Sequence, residues 1–241
     1  MTVTVQAIPM LSDNYSWLLT ESTSGKVGIV DPAEAAPAVA RLEAAGLKLD
    51  VIFLTHHHPD HVGGAEELRQ LYGAKIVGNR ADAHRLPSLD VPVHEGVLVP
   101  FGVANARVIE VPGHTLGHIA YYFADGELLF AGDTMFSMGC GRLFEGTAEQ
   151  MFSSFAKLSG LPDETLLCCG HEYTAANAKF ALSLEPENAA LHERVREVAR
   201  LRAAGLATLP VSLGVERATN PFIRAKDAEE FGARRKAKDH F

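Results

Sequence analysis

Cysteine is scarce in this chain: its 241 residues include three, at positions 140, 168 and 169. Three cysteines, two of them adjacent, cannot form the framework of paired disulfides found in small secreted proteins. The first ten residues also lack the basic segment and apolar core of a secretory signal, and their alternation is typical of a strand. We therefore expect a reduced, cytoplasmic protein.

Long apolar runs and an excess of basic residues are missing as well. No apolar segment approaches the roughly 20 residues that a helix needs to span a bilayer, so we expect no membrane partner. The net charge of -8 argues against nucleic acid, because phosphate binding needs a basic surface. A hydrophobic content of 47% with 22% charged residues is typical of a globular protein with a substantial core.

Histidine, by contrast, is concentrated at residues 56–61, which read His-His-His-Pro-Asp-His after an apolar run. His56 and His58 are two apart, so they project to the same side of an extended chain. Asp60 and His61 follow a proline that can begin a helix and turn them in a second direction. This arrangement suits two neighbouring metal ions better than one. The alternative is a surface turn that happens to be rich in histidine. For a chain of this composition, the probability of a chance match to the motif is on the order of one in a thousand.

Three more candidate ligands each follow a predicted strand and a glycine: His114, Asp133 and His171. Strand-end loops on a rigid sheet are the expected place for a site. A lone histidine after a strand is more often a structural hydrogen-bonding group. Together, however, the candidates supply five histidines and two aspartates.

The pattern of predicted strands and helices suggests two similar β-rich halves. Each half has a strand that ends in an aspartate, Asp31 in one and Asp133 in the other, which fits two sheets packed face to face with helices outside. Asp31 either holds a ligand histidine or caps a turn. Beyond His171 the chain favours helix over 175–204, interrupted only at Pro186, and over 226–241, with an irregular connection at 209–222, so we expect a domain boundary near residue 173.

Several motifs resemble a known family. Residues 55–61, with Gly-His-Thr at 113–115, Gly-Asp-Thr at 132–134 and Gly-His-Glu at 170–172, resemble the metallo-β-lactamase superfamily. Residues 132–147, 170–174 and the tail Lys-Asp-His-Phe at 238–241 resemble the glyoxalase II (hydroxyacylglutathione hydrolase) family, over essentially the whole chain. The resemblance implies an α+β fold: a four-layer αββα sandwich at 1–173 and a helical substrate-binding domain at 174–241.

The resemblance also implies a dinuclear site and a reaction. One divalent ion takes His56, His58 and His114, and the other takes Asp60, His61 and His171. Asp133 bridges both together with a hydroxide that attacks the thioester of S-lactoylglutathione, and Asp60 takes a proton as the thiolate leaves. The products are glutathione and D-lactate, as in the second step of methylglyoxal detoxification. Zinc is the expected metal, with iron or manganese open, and we expect a monomer.

The glutathione contacts implied by the resemblance are Arg142, Phe144, Tyr173, Arg235 and Lys238. The family often has Lys and Tyr where this chain has Arg142 and Phe144, so the charge is kept and one hydroxyl donor is lost. Without the resemblance, the basic cluster at 234–238 would be interpreted as a solvated helix face.

Three other functions compete. A mononuclear iron persulfide dioxygenase would use His56, His114 and Asp133 for one iron. A lactonase or phosphodiesterase would use the same dinuclear site, and a non-catalytic interaction protein would keep the metal ligands as a remnant. Among the remaining histidines, we expect His57 to point away from its neighbours and His118 to support the site rather than to bind an ion.

Overall fold

The computed structural model describes residues 2–241, which divide into two compact units. The first unit runs to Glu110 and resumes over Gly117–Gly132; the second comprises Val111–Leu116 and Asp133–Phe241. None of the helices in the described part of the chain is long and apolar enough to cross a membrane.

The first unit begins with a six-stranded sheet in the order β1-β2-β3-β4-β5-β6. The first two pairings are antiparallel and the other three parallel. Its helices bury Ala38, Leu42 and Leu68 in one cluster with sheet residues Ile29 and Ile52, so they form a layer on that sheet. The elements are β1 (Val3–Met10), β2 (Asn14–Glu21), β3 (Val27–Val30), α1 (Ala35–Ala45), β4 (Val51–Phe53), α2 (Pro59–Val62), α3 (Ala65–Tyr72), β5 (Lys75–Asn79), a 3-10 turn (Arg80–Asp82) and β6 (Val91–Val93).

An antiparallel meander supplies the second sheet of this unit: β7 (Leu98–Phe101), β8 (Ala104–Glu110), β9 (Ile119–Phe123) and β10 (Leu128–Gly132), with a 3-10 turn at Ala124–Gly126. Phe53 of β4 meets the rings of Phe101, Tyr121 and Phe123 edge-on at 6.0, 5.0 and 5.9 Å. The Tyr121 hydroxyl donates to the Leu54 carbonyl across the same interface. The two sheets therefore pack face to face through a buried aromatic core.

The second unit carries the short hairpin β11 (Met135–Phe136) and β12 (Gly139–Cys140), then α4 (Ala148–Ser159), β13 (Leu166–Cys169), α5 (Thr174–Leu184), α6 (Ala189–Ala203), β14 (Val211–Ser212), α7 (Leu213–Thr219) and α8 (Ala228–Asp239). Thr147 and Gln150 form a capping box that begins α4. Phe155, Phe222 and Phe231 pack ring against ring beneath these helices.

The structure corrects one segment of the sequence interpretation and confirms a predicted break in another. The irregular connection predicted at 209–222 contains β14, which pairs with β13, and helix α7. These elements have two and seven residues, too few for a hydrophobic period to show. The helical stretch 175–204 is interrupted at Pro186 as predicted, and α6 begins after Asn188, whose side chain accepts the Leu191 amide and caps the helix.

A buried carboxylate closes the turn after β2. Glu21 accepts hydrogen bonds from the Ser24 hydroxyl at 2.5 Å and from the Ser24 and Thr23 amides at 2.8 Å each. These donors, the Ser24 hydroxyl first, lower the pKa of Glu21 from its ordinary 4.5 to about 2. Because the folded-state pKa is depressed, the contribution to stability is present above pH 4.5 and is lost as the pH falls towards 2.

We therefore expect Glu21→Gln to lower the free energy of unfolding of the metal-free protein at pH 7, and expect this difference to shrink as the pH drops below 4.5. Urea denaturation across that range measures it. Glu43→Gln, at an exposed position on α1, is the control. A deficit that stays constant with pH would contradict the carboxylate's role.

Candidate active site

The first unit organises its histidine turn around Asp31, which follows β3 with a left-handed backbone (φ 49°). Its Oδ1 accepts the Thr55 amide at 2.8 Å, and its Oδ2 accepts the Thr55 hydroxyl at 2.6 Å and the His61 ring at 3.0 Å. A left-handed conformation is unusual for a residue other than glycine and is retained where the surroundings require it. Of the two roles predicted for Asp31, the structure favours holding a ligand histidine.

These hydrogen bonds determine which ring nitrogen is available for a metal. His61 donates through Nδ1 to Asp31, which leaves Nε2 with its lone pair. The Thr55 hydroxyl proton goes to Asp31, so the Thr55 oxygen accepts from Nδ1 of His56 at 3.0 Å. Nε2 of His56 is then also left as an acceptor. A single carboxylate thus orients two predicted ligands, one directly and one through a hydroxyl.

The rest of the turn gathers the other predicted ligands of this unit. His58 precedes α2, which begins at Pro59 as the sequence predicts. The His58 Nδ1 lies 3.0 Å from the His56 Nε2, and Oδ2 of Asp60 lies 3.6 Å from the His61 Nε2. Asn14 of β2 donates to both the side chain and the carbonyl of Asp60. Four candidate donor groups are therefore held together on one short segment.

Two further histidines pack against this turn. His57 turns to Asp82 at 3.1 Å, and the fully buried ring of His118 stacks on His56 with centroids 4.6 Å apart. Gly132 lies beneath them at φ +47°, where a Cβ atom would come within 2.4 Å of the Thr55 hydroxyl and 2.8 Å of His118. A glycine is required there because both the backbone conformation and the space exclude a side chain.

In the second unit, Oδ2 of Asp133 lies 3.6 Å from Nε2 of His114 and 3.3 Å from Nε2 of His171. Nδ1 of His114 donates to the Arg142 carbonyl at 2.9 Å, which again leaves Nε2 as the acceptor. Gly141 makes this approach possible, since a Cβ atom there would lie 1.8 Å from the Asp133 carbonyl oxygen. The three side chains are buried.

In each unit, the predicted ligands bring imidazole nitrogens and carboxylate oxygens to within 3.0–3.6 Å of one another. Lone pairs facing each other at that distance need a proton or a cation between them. Nitrogen and oxygen donors of this kind fit divalent ions such as Zn, Fe or Mn. The sorting of the seven ligands between two ions remains a prediction.

A cavity of about 430 Å³ opens beside Asp133 in the second unit. It contains all five residues that the resemblance implies for substrate binding, together with two predicted metal ligands. Its lining is His114, Asp133, Phe136, Cys140, Arg142, Phe144, Tyr173, Ala176, Asn177, Arg235 and Lys238. Phe136 and Cys140 lie in the 132–147 stretch that carries the resemblance but were not predicted to line the cavity, and nothing in the local sequence marks Ala176 or Asn177.

The basic cluster is not a single solvated face. Arg235 is 6% exposed, donates to the Cys140 carbonyl and lies over the Phe222 ring. The ammonium of Lys238 lies 5.1 Å from the Phe180 ring and 5.3 Å from the Phe241 ring. Burial, and secondarily the charge of Arg235, lowers the pKa of Lys238. Two cations of α8 thus reach the cavity from a partly desolvated position.

Aromatic rings connect the cavity to the candidate ligands. Tyr173 stacks on His171 with centroids 4.6 Å apart and ring planes at 6°. Phe144, which is 61% exposed, lies 5.2 Å from the His114 ring. Each of these rings therefore packs against the imidazole of a candidate ligand.

Comparison with known families divides the chain without leaving a gap. A model of the metallo-β-lactamase superfamily matches residues 11–171, and a model of the hydroxyacylglutathione hydrolase C-terminus matches residues 172–241. Together they span nearly all of the sequence.

The curated relatives are hydroxyacylglutathione hydrolases. Hydroxyacylglutathione hydrolases from Cereibacter sphaeroides and Acidiphilium cryptum are 50% and 52% identical to this chain, covering 100% and 99% of it and 100% and 97% of their own lengths. The hydroxyacylglutathione hydrolase of Rhodobacter capsulatus is 54% identical, covering 95% of this chain and 89% of its own.

Solved structures show the same fold. ETHE1 from Myxococcus xanthus superposes with a TM-score of 0.74 at 25% identity, covering 97% of this chain and 90% of its own. The B3 metallo-β-lactamase BLEG-1 gives 0.71 at 20% identity, covering 91% and 99%. The predicted fold class, α+β with two sheets and a C-terminal helical region, is confirmed.

We expect Asp31→Asn to lower metal affinity by about 10- to 100-fold, because an amide nitrogen cannot replace the Oδ2 that accepts from both His61 and the Thr55 hydroxyl. Metal content after dialysis against a competing chelator measures it. Asp82→Asn is a matched control, since it removes a carboxylate from His57, which is not a predicted ligand. Equal losses in the two variants would show that any carboxylate–histidine pair in this unit has the same effect.

Proposed function

The chain belongs to the hydroxyacylglutathione hydrolase family of the metallo-β-lactamase superfamily, and on that premise we propose that it hydrolyses S-2-hydroxyacylglutathione thioesters. The reference substrate is S-lactoylglutathione, and the products are glutathione and D-lactate. The metals are two divalent ions, with zinc as the default for mixed imidazole and carboxylate donors.

One observation supports this proposal above the others: a single cavity is lined by three cations, Arg142, Arg235 and Lys238, and by the predicted ligands His114 and Asp133. Glutathione carries two carboxylates, and the protein has a net charge of -8, so a local cluster of cations is needed to bind it. The three cations line the same cavity as Asp133, and the thioester carbonyl would react beside that carboxylate. Binding and chemistry therefore share one pocket.

Bound at these residues, two divalent metal ions would supply hydroxide near neutral pH and polarise the thioester carbonyl. The chain's own part is to present lone pairs and to keep the imidazole protons away from them. Asp31 and the Arg142 carbonyl do so by accepting Nδ1–H of His61 and His114. The glutathione thiol has a solution pKa of about 8.5, so it leaves as a thiolate with little acid assistance. Asp60, which is 37% exposed, is the proposed acceptor of the released proton.

Metal quantification paired with a thioester assay tests the proposal. We expect about two divalent ions per chain and metal-dependent hydrolysis of S-lactoylglutathione. One iron per chain, oxygen consumption with glutathione persulfide and no thioester hydrolysis would instead indicate the dioxygenase. Faster turnover of lactones or phosphodiesters would indicate the other hydrolases, and absence of any metal-dependent turnover would indicate an interaction protein.

Asp133→Ala should lose both metal retention and hydrolysis, because its Oδ2 faces both His114 and His171. Metal per chain and kcat are measured on the same preparation. Glu187→Ala, at an exposed position, is the control for removal of an acidic side chain. Wild-type metal content in Asp133→Ala would show that this residue is not a bridging ligand.

Lys238→Ala should raise KM by about tenfold or more while kcat stays within about twofold, as expected when binding common to the ground and transition states is lost. Lys236→Ala, two residues away and exposed on the same helix, is the control and should leave both constants unchanged. A fall in kcat at constant KM would exclude a purely substrate-binding role for Lys238.

A further inference from the structure

A carboxylate lies among the cations of the cavity. Asp239, the last residue of α8, has its Oδ1 3.1 Å from Nη2 of Arg235 and 3.8 Å from Nε of Arg142. Both arginines line the cavity, and Lys238 is the preceding residue. A protein that binds an anion with these cations thus directs one of its own anions at two of them.

Neither helix stability nor arginine placement accounts for this carboxylate. Its i,i+4 ion pair with Arg235 stabilises α8 only weakly, and a negative charge in the last turn of a helix is unfavourable, because the dipole is negative there. Arg235 is buried and is already held by the Cys140 carbonyl and the Phe222 ring. The main chain of Arg142 is held by the hydrogen bond from His114 to its carbonyl oxygen.

The ion pair between Arg142 and Asp239 is also easily replaced by an ion pair with another carboxylate. The side chain of Arg142 is 66% exposed and that of Asp239 is 42% exposed. Ion pairs this exposed contribute little, because water and salt screen them. A substrate carboxylate could therefore replace that of Asp239 at small cost, whereas the buried Arg235 would keep its position.

We propose that Asp239 is an internal counter-ion that pairs with Arg142 and Arg235 in the free enzyme and yields Arg142 to a carboxylate of the glutathione moiety. The proposal rests on the proposed function, since it takes glutathione as the ligand. Its consequence is weaker binding of substrate and product alike. Glutathione keeps both carboxylates after hydrolysis, so three uncompensated cations would retain the product. Asp239 limits that retention.

The direction in which one substitution changes KM and the glutathione inhibition constant tests the proposal. Asp239→Asn keeps the shape and removes the charge, so KM for S-lactoylglutathione and the inhibition constant of glutathione should both fall by about two- to fivefold at low ionic strength. The effect should shrink at high salt, and it should also shrink in an Arg142→Gln background, where only the Arg235 pair remains. Glu229→Gln, with the same change of charge at an exposed position on α8, should leave both constants unchanged.

A rise in both constants for Asp239→Asn would overturn the proposal, because it would mean that Asp239 orients the arginines or binds the ammonium group of the substrate. Equal effects of Asp239→Asn and Glu229→Gln would overturn it too, because they would indicate a general effect of net charge.

Calorimetric titration of glutathione into the metal-loaded protein needs no turnover, so it separates the counter-ion proposal from the proposed function. Glutathione binding tightened by Asp239→Asn without thioester hydrolysis by the wild type overturns only the proposed function. If the wild type hydrolyses the thioester but Asp239→Asn does not tighten glutathione binding, only the counter-ion proposal is overturned.

Discussion

The hydrogen bonds accepted by Asp31 are the constraint on which the histidine turn depends. One buried carboxylate takes the Thr55 amide, the Thr55 hydroxyl and the His61 ring, and through the hydroxyl it also determines the tautomer of His56. A metal ion needs neutral imidazoles with a defined free nitrogen. The left-handed backbone at Asp31 is the cost of placing that carboxylate at the end of β3.

The cavity of the second unit depends on a different buried carboxylate. Glu216 of α7 accepts the Ser137 hydroxyl at 2.7 Å and the Met138 amide at 2.8 Å, and burial raises its pKa. Asn220 donates to Glu216 and to the carbonyls of the β11–β12 hairpin. The hairpin follows Asp133 directly and contributes Phe136 and Cys140 to the cavity. A short helix hidden in a predicted irregular segment thus supports the pocket wall.

Much of the first unit could be predicted because its elements are long enough to show a period. β1 and β2 have eight residues each and α1 has eleven. β14 and α7 could not be predicted, because short elements form through tertiary pairing and packing rather than through their own propensity. For the site, spacing and residue type were sufficient to identify the metal-binding turn at 56–61. They were insufficient for Asn177, which is an ordinary polar residue inside α5.

The basic tail shows most directly where sequence reasoning ends. Residue types and spacing determined that the chain carries nitrogen and oxygen donors for metal ions and a cluster of cations near its C-terminus. Only the tertiary structure decided that Arg235 and Lys238 reach the cavity while Arg234 pairs with Glu185 and Glu230. The physical reason is that burial, tautomer and ion pairing depend on groups far away in the chain. Cys140 lies 95 residues before the arginine that donates to its carbonyl, and no local pattern records that contact.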